Sequence, residues 1–326
     1  MKKKWVMVLI AVLLILLFAS PAIFAQKKYE IVTVVKIAGI PWFNRLEEGV
    51  KQAATELDVN AYQVGPADAD PAQQVRMIED LISKGVDAIC VTPNDAKSLE
   101  PVFAKAKASH ILIITHESPD QKGKDYDLEL IDNVKFGQHT WDMLTKYMGT
   151  SGEYAIFVGS LTVPLHNLWA DEGLKYAKKK YPNLKLVTDR IPCGEDQELA
   201  KQKTLELIKA YPNLKGIIGY GSLGPPGAAQ ALMEKGLSNK ITVVGTVLPS
   251  PAATYLKNGS MKYGILWDPK NAGFGMTWIA KQMLDGKKIV NGTQIPGIGK
   301  VSLEGDVIRV DAAIDITKEN VDSFGF

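Results

Sequence analysis

From Ile31 onward the chain alternates between short β-branched runs and amphipathic stretches of helical period, and no other feature constrains its fold as strongly. Ile31–Ile37 reads as a strand, and the stretch after it (Phe43–Leu57) repeats apolar residues at three and four positions through Leu46, Val50, Ala53, Ala54 and Leu57. The cycle continues with a strand at Asn60–Val64, a helix at Pro71–Lys84, a strand at Ala88–Val91, a helix at Leu99–Ala108 and a strand at Ile111–Thr115. Strict alternation of this kind calls for a parallel sheet with helices on both faces. After Asp132-Asn133 a second series starts, with helices at Phe136–Met148, Leu168–Lys180, Gln197–Ala210 and Ala228–Lys235. Its strands are expected at Tyr154–Val158, Leu184–Asp189, Gly216–Gly219 and Ile241–Val244. The chain therefore reads as two similar α/β units. A late strand (Tyr263–Trp267), a helix (Asn271–Leu284) and two final runs at Val307–Val310 and Ala312–Ile316 come too late to form a third.

The first residues carry an address rather than a fold. Lys2, Lys3 and Lys4 precede an uncharged apolar run from Trp5 to Ala19, and Ala25 stands before the polar Gln26-Lys27-Lys28. This pattern is an export signal, with cleavage expected between Ala25 and Gln26, so residues 1–25 are assigned to a signal peptide. An uncleaved anchor is the competing reading, but a run of about 15 apolar residues falls short of the ~20 that a spanning helix needs. Of the 326 residues, about 300 remain after the cut, enough to exceed one hydrophobic core and require two lobes. The three departing lysines turn a net charge of +2 slightly negative. No basic field is left to hold nucleic acid, and a neutral or weakly charged ligand fits better. Cys90 lies in the apolar run Ala88-Ile-Cys-Val91 and reads as a buried small hydrophobe; with Cys193 it could pair, but two Cys cannot build a zinc site, and no metal or cofactor is expected.

In an open parallel sheet, ligands bind beyond the carboxyl ends of the strands. Those ends are rich here in aromatic and polar residues: Lys36 through Asn44, with Pro41-Trp42-Phe43; His116-Glu117-Ser118; Gly159-Ser160-Leu-Thr162, then His166-Asn167 and Trp169; Gly219-Tyr220-Gly-Ser222; Thr246; and Trp267-Asp268. With Gln73-Gln74, Gly85-Val-Asp-Ala-Ile89, Pro93-Asn-Asp95 and Leu266-Trp-Asp-Pro269, their order resembles that of the periplasmic sugar-binding proteins of the ribose, rhamnose and autoinducer-2 type, over essentially all of residues 30–316.

That resemblance implies the type 1 periplasmic binding protein fold, two Rossmann-like lobes with parallel sheets joined by a three-crossing hinge, and a ligand in the cleft between them. Crossings are expected near Asp132-Asn133, Asp268 and Gly297–Gly299, so the first lobe would comprise residues 26–132 plus 268–298 and the second 133–267 plus 299–326. By the same resemblance, Trp42 and Phe43 match the family's stacking aromatics, Glu117 its sugar-binding carboxylate, and Trp267 or Asp268 its hydrogen-bonding group after the late strand. Lys36 and the turn at Pro226 and Ala228 are similar to positions that hold the ligand in autoinducer-2 receptors. The chain departs from those receptors in carrying Leu165-His166 where they have Asp-Gln, and from ribose receptors in carrying Ser118 where they have Arg.

Elementary chemistry gives the same residues a role. An aromatic face covers the C–H face of a sugar ring, while Lys, Asp, Glu and Asn satisfy hydroxyls that are costly to bury unpaired. The expected ligand-binding set is Lys36, Trp42, Phe43, Asn44, His116, Glu117, His166, Asn167, Pro226, Ala228, Thr246, Trp267 and Asp268. Each has a plainer alternative: Phe43 as helix-start packing, His166 and Asn167 as caps of the following helix, Lys36 as a solvated charge, Asp268 as a cap before Pro269. His116 and Glu117 are adjacent on an extended segment and point to opposite sides, which leaves room for only one at the ligand. An exported carbohydrate-active enzyme is the alternative class, but no paired acid motif, HExxH, GxSxG or phosphate loop is present. The expectation is a monomeric receptor outside the cytoplasmic membrane that takes a deoxyhexose, a pentose or autoinducer-2, delivers it to the permease of an ABC importer, and has a chemoreceptor as a further candidate partner.

Overall fold

The computed structural model describes residues 28–326, and the export signal expected over residues 1–25 lies outside the described residues. The first sheet draws on β1 (Glu30–Val34), β2 (Asn60–Val64), β3 (Ala88–Val91), β4 (Leu112–His116) and β5 (Tyr126–Glu129), connected by α1 (Pro41–Glu56), α2 (Pro71–Lys84) and α3 (Ala96–Ala108). The second draws on β6 (Ser151–Val158), β7 (Asn183–Leu186), β8 (Ile191–Pro192), β9 (Leu214–Gly219), β10 (Thr242–Thr246) and β11 (Tyr263–Leu266), with α4 (Asn133–Met148), α5 (Pro164–Lys180), α6 (Gln197–Ala210), α7 (Gly224–Glu234) and α8 (Pro249–Asn258). After α9 (Pro269–Leu284) come the short strands β12 (Gln294–Ile295), β13 (Gly299–Lys300), β14 (Ser302–Glu304), β15 (Val307–Arg309) and β16 (Ile314–Ile316).

Both sheets follow one plan. The first runs β14-β15-β5-β4-β3-β1-β2 and the second β16-β11-β10-β9-β6-β7, with β8 beside β6. In each, only the strand at the late end is antiparallel to its neighbour. Central strands are buried on both faces, as Ile31, Val32, Val34, Ile89 and Val91 illustrate, which is why they read as continuous apolar runs. The strand order reverses at β1/β3 and at β6/β9, the points where an open α/β sheet offers a crevice.

The chain passes between lobes after β5, at Trp267-Asp268 after β11, and between β15 and β16. The last crossing differs from the expected Gly297–Gly299. Residues 302–309 extend the first sheet, with β15 parallel to β5 through Val307↔Asp127 and Arg309↔Glu129, so this stretch belongs to the first lobe, not the second. The physical reason is the edge of β5, whose Asp127, Leu128 and Glu129 are buried; an unpaired edge there would leave backbone groups without partners. Among the elements of four or more residues, two have no counterpart in the sequence pattern: β5, because Tyr126-Asp-Leu-Glu129 looks like a polar loop, and α8, because Pro249-Ser-Pro251 looks like a turn.

Helix placement ties the crossings to the site. Gly49 on α1 and Gly273 on α9 allow the two backbones to touch: a Cβ at Gly49 would stand 1.8 Å from the carbonyl oxygen of Lys270, and one at Gly273 2.1 Å from that of Leu46. α9 thereby docks on the first lobe immediately after the chain leaves the second. Asp70, Asp95, Asp132, Asp196 and Asp268 each cap a helix through backbone N–H groups, fixing the loops that follow the strands.

Candidate functional site

The strand ends of both lobes converge on one enclosed cavity. Its wall consists of Lys36, Ile40, Trp42, Phe43 and Glu117 from the first lobe, and His166, Trp169, Glu195, Tyr220, Ser222 and Thr246 from the second, with Trp267 at the crossing. As it stands this wall encloses only about 10 Å³, room for about one water, so the lobes must part and the lining must shift before a sugar-sized ligand fits. The lobes also meet directly, since the Thr162 hydroxyl donates to the carbonyl of Asn94 at 3.2 Å. Arg45 on α1 makes a forked ion pair with Asp268 at 2.9 and 2.8 Å.

The first-lobe wall is a buried ion pair set among rings. Lys36, 2% exposed, donates to Oε2 of Glu117, 3% exposed. Gln74 and Asn94 hold the loops beneath it: Gln74 donates to the carbonyls of Val35 and Thr92 and accepts from the Asn94 N–H, and Asn94 donates to the carbonyl of Lys36 at 2.7 Å. Trp42 stands edge-on to Trp267 with ring centres 5.1 Å apart, a favourable aromatic geometry. Trp169 is 5.7 Å from Trp267 and 5.9 Å from Tyr220, so rings line the cavity from both lobes.

The second-lobe wall is polar and incompletely paired. The Gly159 N–H donates to Nδ1 of His166 at 3.0 Å, so the proton of the neutral ring sits on Nε2, 3.6 Å from Oε1 of Glu195. Burial and the charge of Lys36 hold the His166 pKa well below its ordinary value, and the ring stays neutral. Burial lifts the Glu195 carboxyl to about 7; Lys36 opposes that rise and Glu117 adds to it. Among the described residues, Oε2 of Glu195, the hydroxyl of Thr246 and the indole N–H of Trp267 have no hydrogen-bond partner. A further acid pair lies behind the wall on β5: Asp127 and Glu129 are both raised, chiefly by burial, with the Asp127 charge adding to the effect on Glu129.

Of the residues expected at the ligand, the structure brings Lys36, Trp42, Phe43, Glu117, His166, Thr246 and Trp267 to the cavity. The others sit elsewhere for identifiable reasons. Asn44 is exposed on α1 and donates to the carbonyl of Gly39. His116 is buried behind Glu117, its Nδ1 2.6 Å from the carbonyl of Leu128 and its ring edge-on to Trp267. Asn167 braces the Ser160–Val163 loop and accepts from Arg190. Pro226 and Ala228 are buried in the first turns of α7, and Asp268 is spent on the α9 cap and Arg45. Glu195 carried no assignment in the sequence reading, and Ile40, Trp169, Tyr220 and Ser222, although read as strand-end residues or their neighbours, were not in the expected set. The signal for Glu195 is its position just past the two-residue β8, where Cys193-Gly-Glu-Asp196 reads as nothing more than a helix start.

A family model described as periplasmic binding protein domain matches residues 31–288. The ribose import binding protein of Bacillus subtilis is 24% identical over 266 residues, 81% of this chain and 84% of that protein. Among solved structures, LsrB from Clostridium saccharobutylicum in complex with AI-2 superimposes with a TM-score of 0.85 at 23% identity, covering 91% of this chain and 100% of that one. An ABC transporter solute-binding protein from Clostridium phytofermentas with bound L-rhamnose gives 0.83 at 24% identity, covering 91% and 98%. At these identities the structural likeness establishes the fold.

Proposed function

This chain belongs to the periplasmic binding protein family, sugar-binding transport receptors and not enzymes, and from that premise we propose that it holds a small neutral polyol between its lobes and presents it to the permease of an ABC importer. The observation that carries the reading is the pairing of aromatic faces with unpartnered polar atoms in one buried cavity. A buried polar atom without a partner costs about 1–3 kcal/mol. A hydroxyl can relieve each of these, accepting from the Trp267 N–H and exchanging hydrogen bonds with Thr246 and Glu195, while Trp42, Phe43 and Trp169 offer rings to the C–H faces of the same ligand. A rhamnose-like deoxyhexose, a pentose or autoinducer-2 is the proposed ligand range, supported by the ribose, L-rhamnose and AI-2 named for the similar proteins.

Ligand entry requires the lobes to part. The Thr162–Asn94 contact and the enclosed wall describe a shut cleft, and two lobes joined by three strands of chain are suited to hinge motion. Scattering with saturating ligand should give a smaller radius of gyration than without it, and an unchanged profile would argue for a fixed cleft. The family places the chain outside the cytoplasmic membrane, and cleavage after Ala25 is proposed from sequence alone; N-terminal sequencing of exported protein should find Gln26 first.

A thermal-shift screen against pentoses, hexoses, deoxyhexoses, polyols and autoinducer-2 tests the proposal. A ligand at ~1,000 times its Kd adds about 4 kcal/mol, so the true ligand raises the melting temperature clearly and is recovered chemically unchanged. No shift with any of them, or turnover of the one that binds, would overturn the reading.

A further inference from the structure

The cavity contains more acid than base. Among the described residues Lys36 is its one lysine or arginine, against the two carboxyls of Glu117 and Glu195, and Lys36 is already bonded to Glu117. His166 is neutral. One negative charge therefore lacks a counterion in a closed, ring-lined space, an arrangement that a protein relieves with a proton or a cation.

The chain around Glu195 is shaped for this carboxyl. Glu195 is 6% exposed and holds φ at 53°, an uncommon backbone conformation for a non-glycine residue. Glycines flank it on two sides: a Cβ at Gly159 would lie 2.8 Å from Oε1 and one at Gly221 2.8 Å from Oε2. The groups facing it are Lys36 from the end of β1, Glu117 from the end of β4, His166 Nε2 from α5, and the backbone N–H of Ser222 after β9. Cys193 and Asp196 are its nearest titratable neighbours along the chain.

Resting on the neutral-polyol reading above, we infer that Glu195 is a specificity-determining residue that enters the closed cavity as a neutral carboxylic acid and donates its proton to a ligand oxygen, so the second lobe selects an uncharged ligand and binds it with uptake of one proton. Oε2, the oxygen without a protein partner, is the one available to the ligand. His166 Nε2 stands 3.6 Å from Oε1, the other oxygen of the acid. The raised Glu195 pKa agrees with this, because the proton is then held near neutral pH.

Wild type and Glu195→Gln, whose amide mimics the protonated acid, are titrated by calorimetry between pH 5.5 and 8.5 with D-ribose, L-rhamnose and autoinducer-2. Wild-type affinity for the sugar that binds should fall by up to about tenfold per pH unit above pH 7. The Gln variant should match wild type within a few-fold at pH 6 and hold that affinity to pH 8.5. A flat wild-type profile, or a Gln variant that loses a hundredfold at every pH, overturns the inference; the second result would mean that Glu195 accepts from ligand hydroxyls as an ionised carboxylate.

Melting curves without ligand provide an independent arm. Folded Glu195 keeps its proton to a higher pH than the unfolded chain, where Glu titrates near 4.3. The stability tied to that proton is therefore complete below the unfolded value and is lost as pH rises toward 7. The two proteins should melt together near pH 4.5 and separate by pH 8, with the Gln variant higher. Should none of the three ligands bind, the neutral-polyol reading loses support while these curves still decide the protonation of Glu195: parallel curves overturn it.

Discussion

The two walls of the cavity solve the problem of burying polar groups in opposite ways. On the first lobe, Lys36 and Glu117 satisfy each other, braced from below by Gln74 and Asn94. On the second lobe and at the crossing, Glu195, Thr246 and Trp267 each present a polar atom with no protein partner. The paired wall keeps its partners whether or not a ligand is bound; an unpaired wall gains its partners only from a ligand. The difference assigns stability chiefly to the first wall and discrimination chiefly to the second.

Removing the Lys36 charge attacks the paired wall and should have the largest effect. Lys36→Met leaves Glu117 buried without its cation and should destabilise the protein by about 3–5 kcal/mol, as breaking one side of a buried pair does. Adding Glu117→Gln should recover much of that loss in denaturant unfolding. If the single variant is as stable as wild type, the pair does not carry the first wall.

Smaller effects are expected on the second. Thr246→Val removes a hydroxyl that has no partner in the protein, so stability should hold or rise slightly while affinity falls by about 1–3 kcal/mol, the cost of leaving a ligand hydroxyl unpaired. Comparable losses of stability and affinity would erase the distinction between the walls.

Behind the first wall, the raised Asp127 and Glu129 make a pH-dependent contribution. Burial holds each carboxyl above its ordinary range, so the folded pair keeps a proton to a higher pH than the unfolded chain, which releases it near pH 4; the stability tied to that proton is full below that pH and is lost as pH rises. Glu129→Gln should flatten part of this slope, which is at most about 1.4 kcal/mol per pH unit per proton. Unfolding free energies at pH 5 and pH 8 check it: equal slopes in the variant and wild type would show that the pair carries no extra proton.

Asp268→Asn should do least. Asn still caps α9, and the partly exposed pair with Arg45 is worth ~0–1 kcal/mol, so affinity should remain at the wild-type value in calorimetry. A tenfold loss would return Asp268 to the binding site.

The contrast between the walls also explains what could be read from the sequence. The first wall stands at the ends of long, strongly apolar strands, so Lys36, Trp42, Phe43 and Glu117 announce themselves by position, and His166, Thr246 and Trp267 do so by the same rule on the second lobe. Glu195 does not, because β8 is two residues long and the polar run after it also starts a helix through the Asp196 cap. The strand at Tyr126–Glu129 is hidden for a related reason: its acids are buried, and an alternation rule that counts Asp and Glu as exposed cannot find it. The third crossing was misplaced with it, since β15 has no evident partner until β5 is recognised as a strand. Asp268 is the reverse case, a residue of the right type at a strand end whose side chain engages Arg45 and the α9 cap.

The central claim, that the second wall and the crossing exist to recognise hydroxyls, is tested most directly by calorimetric titration of the double variant Thr246→Val, Trp267→Phe with the sugar that stabilises wild type. The account predicts one site per wild-type chain and at least about a tenfold loss of affinity in the double variant, which still folds. Wild-type affinity in the double variant would contradict it.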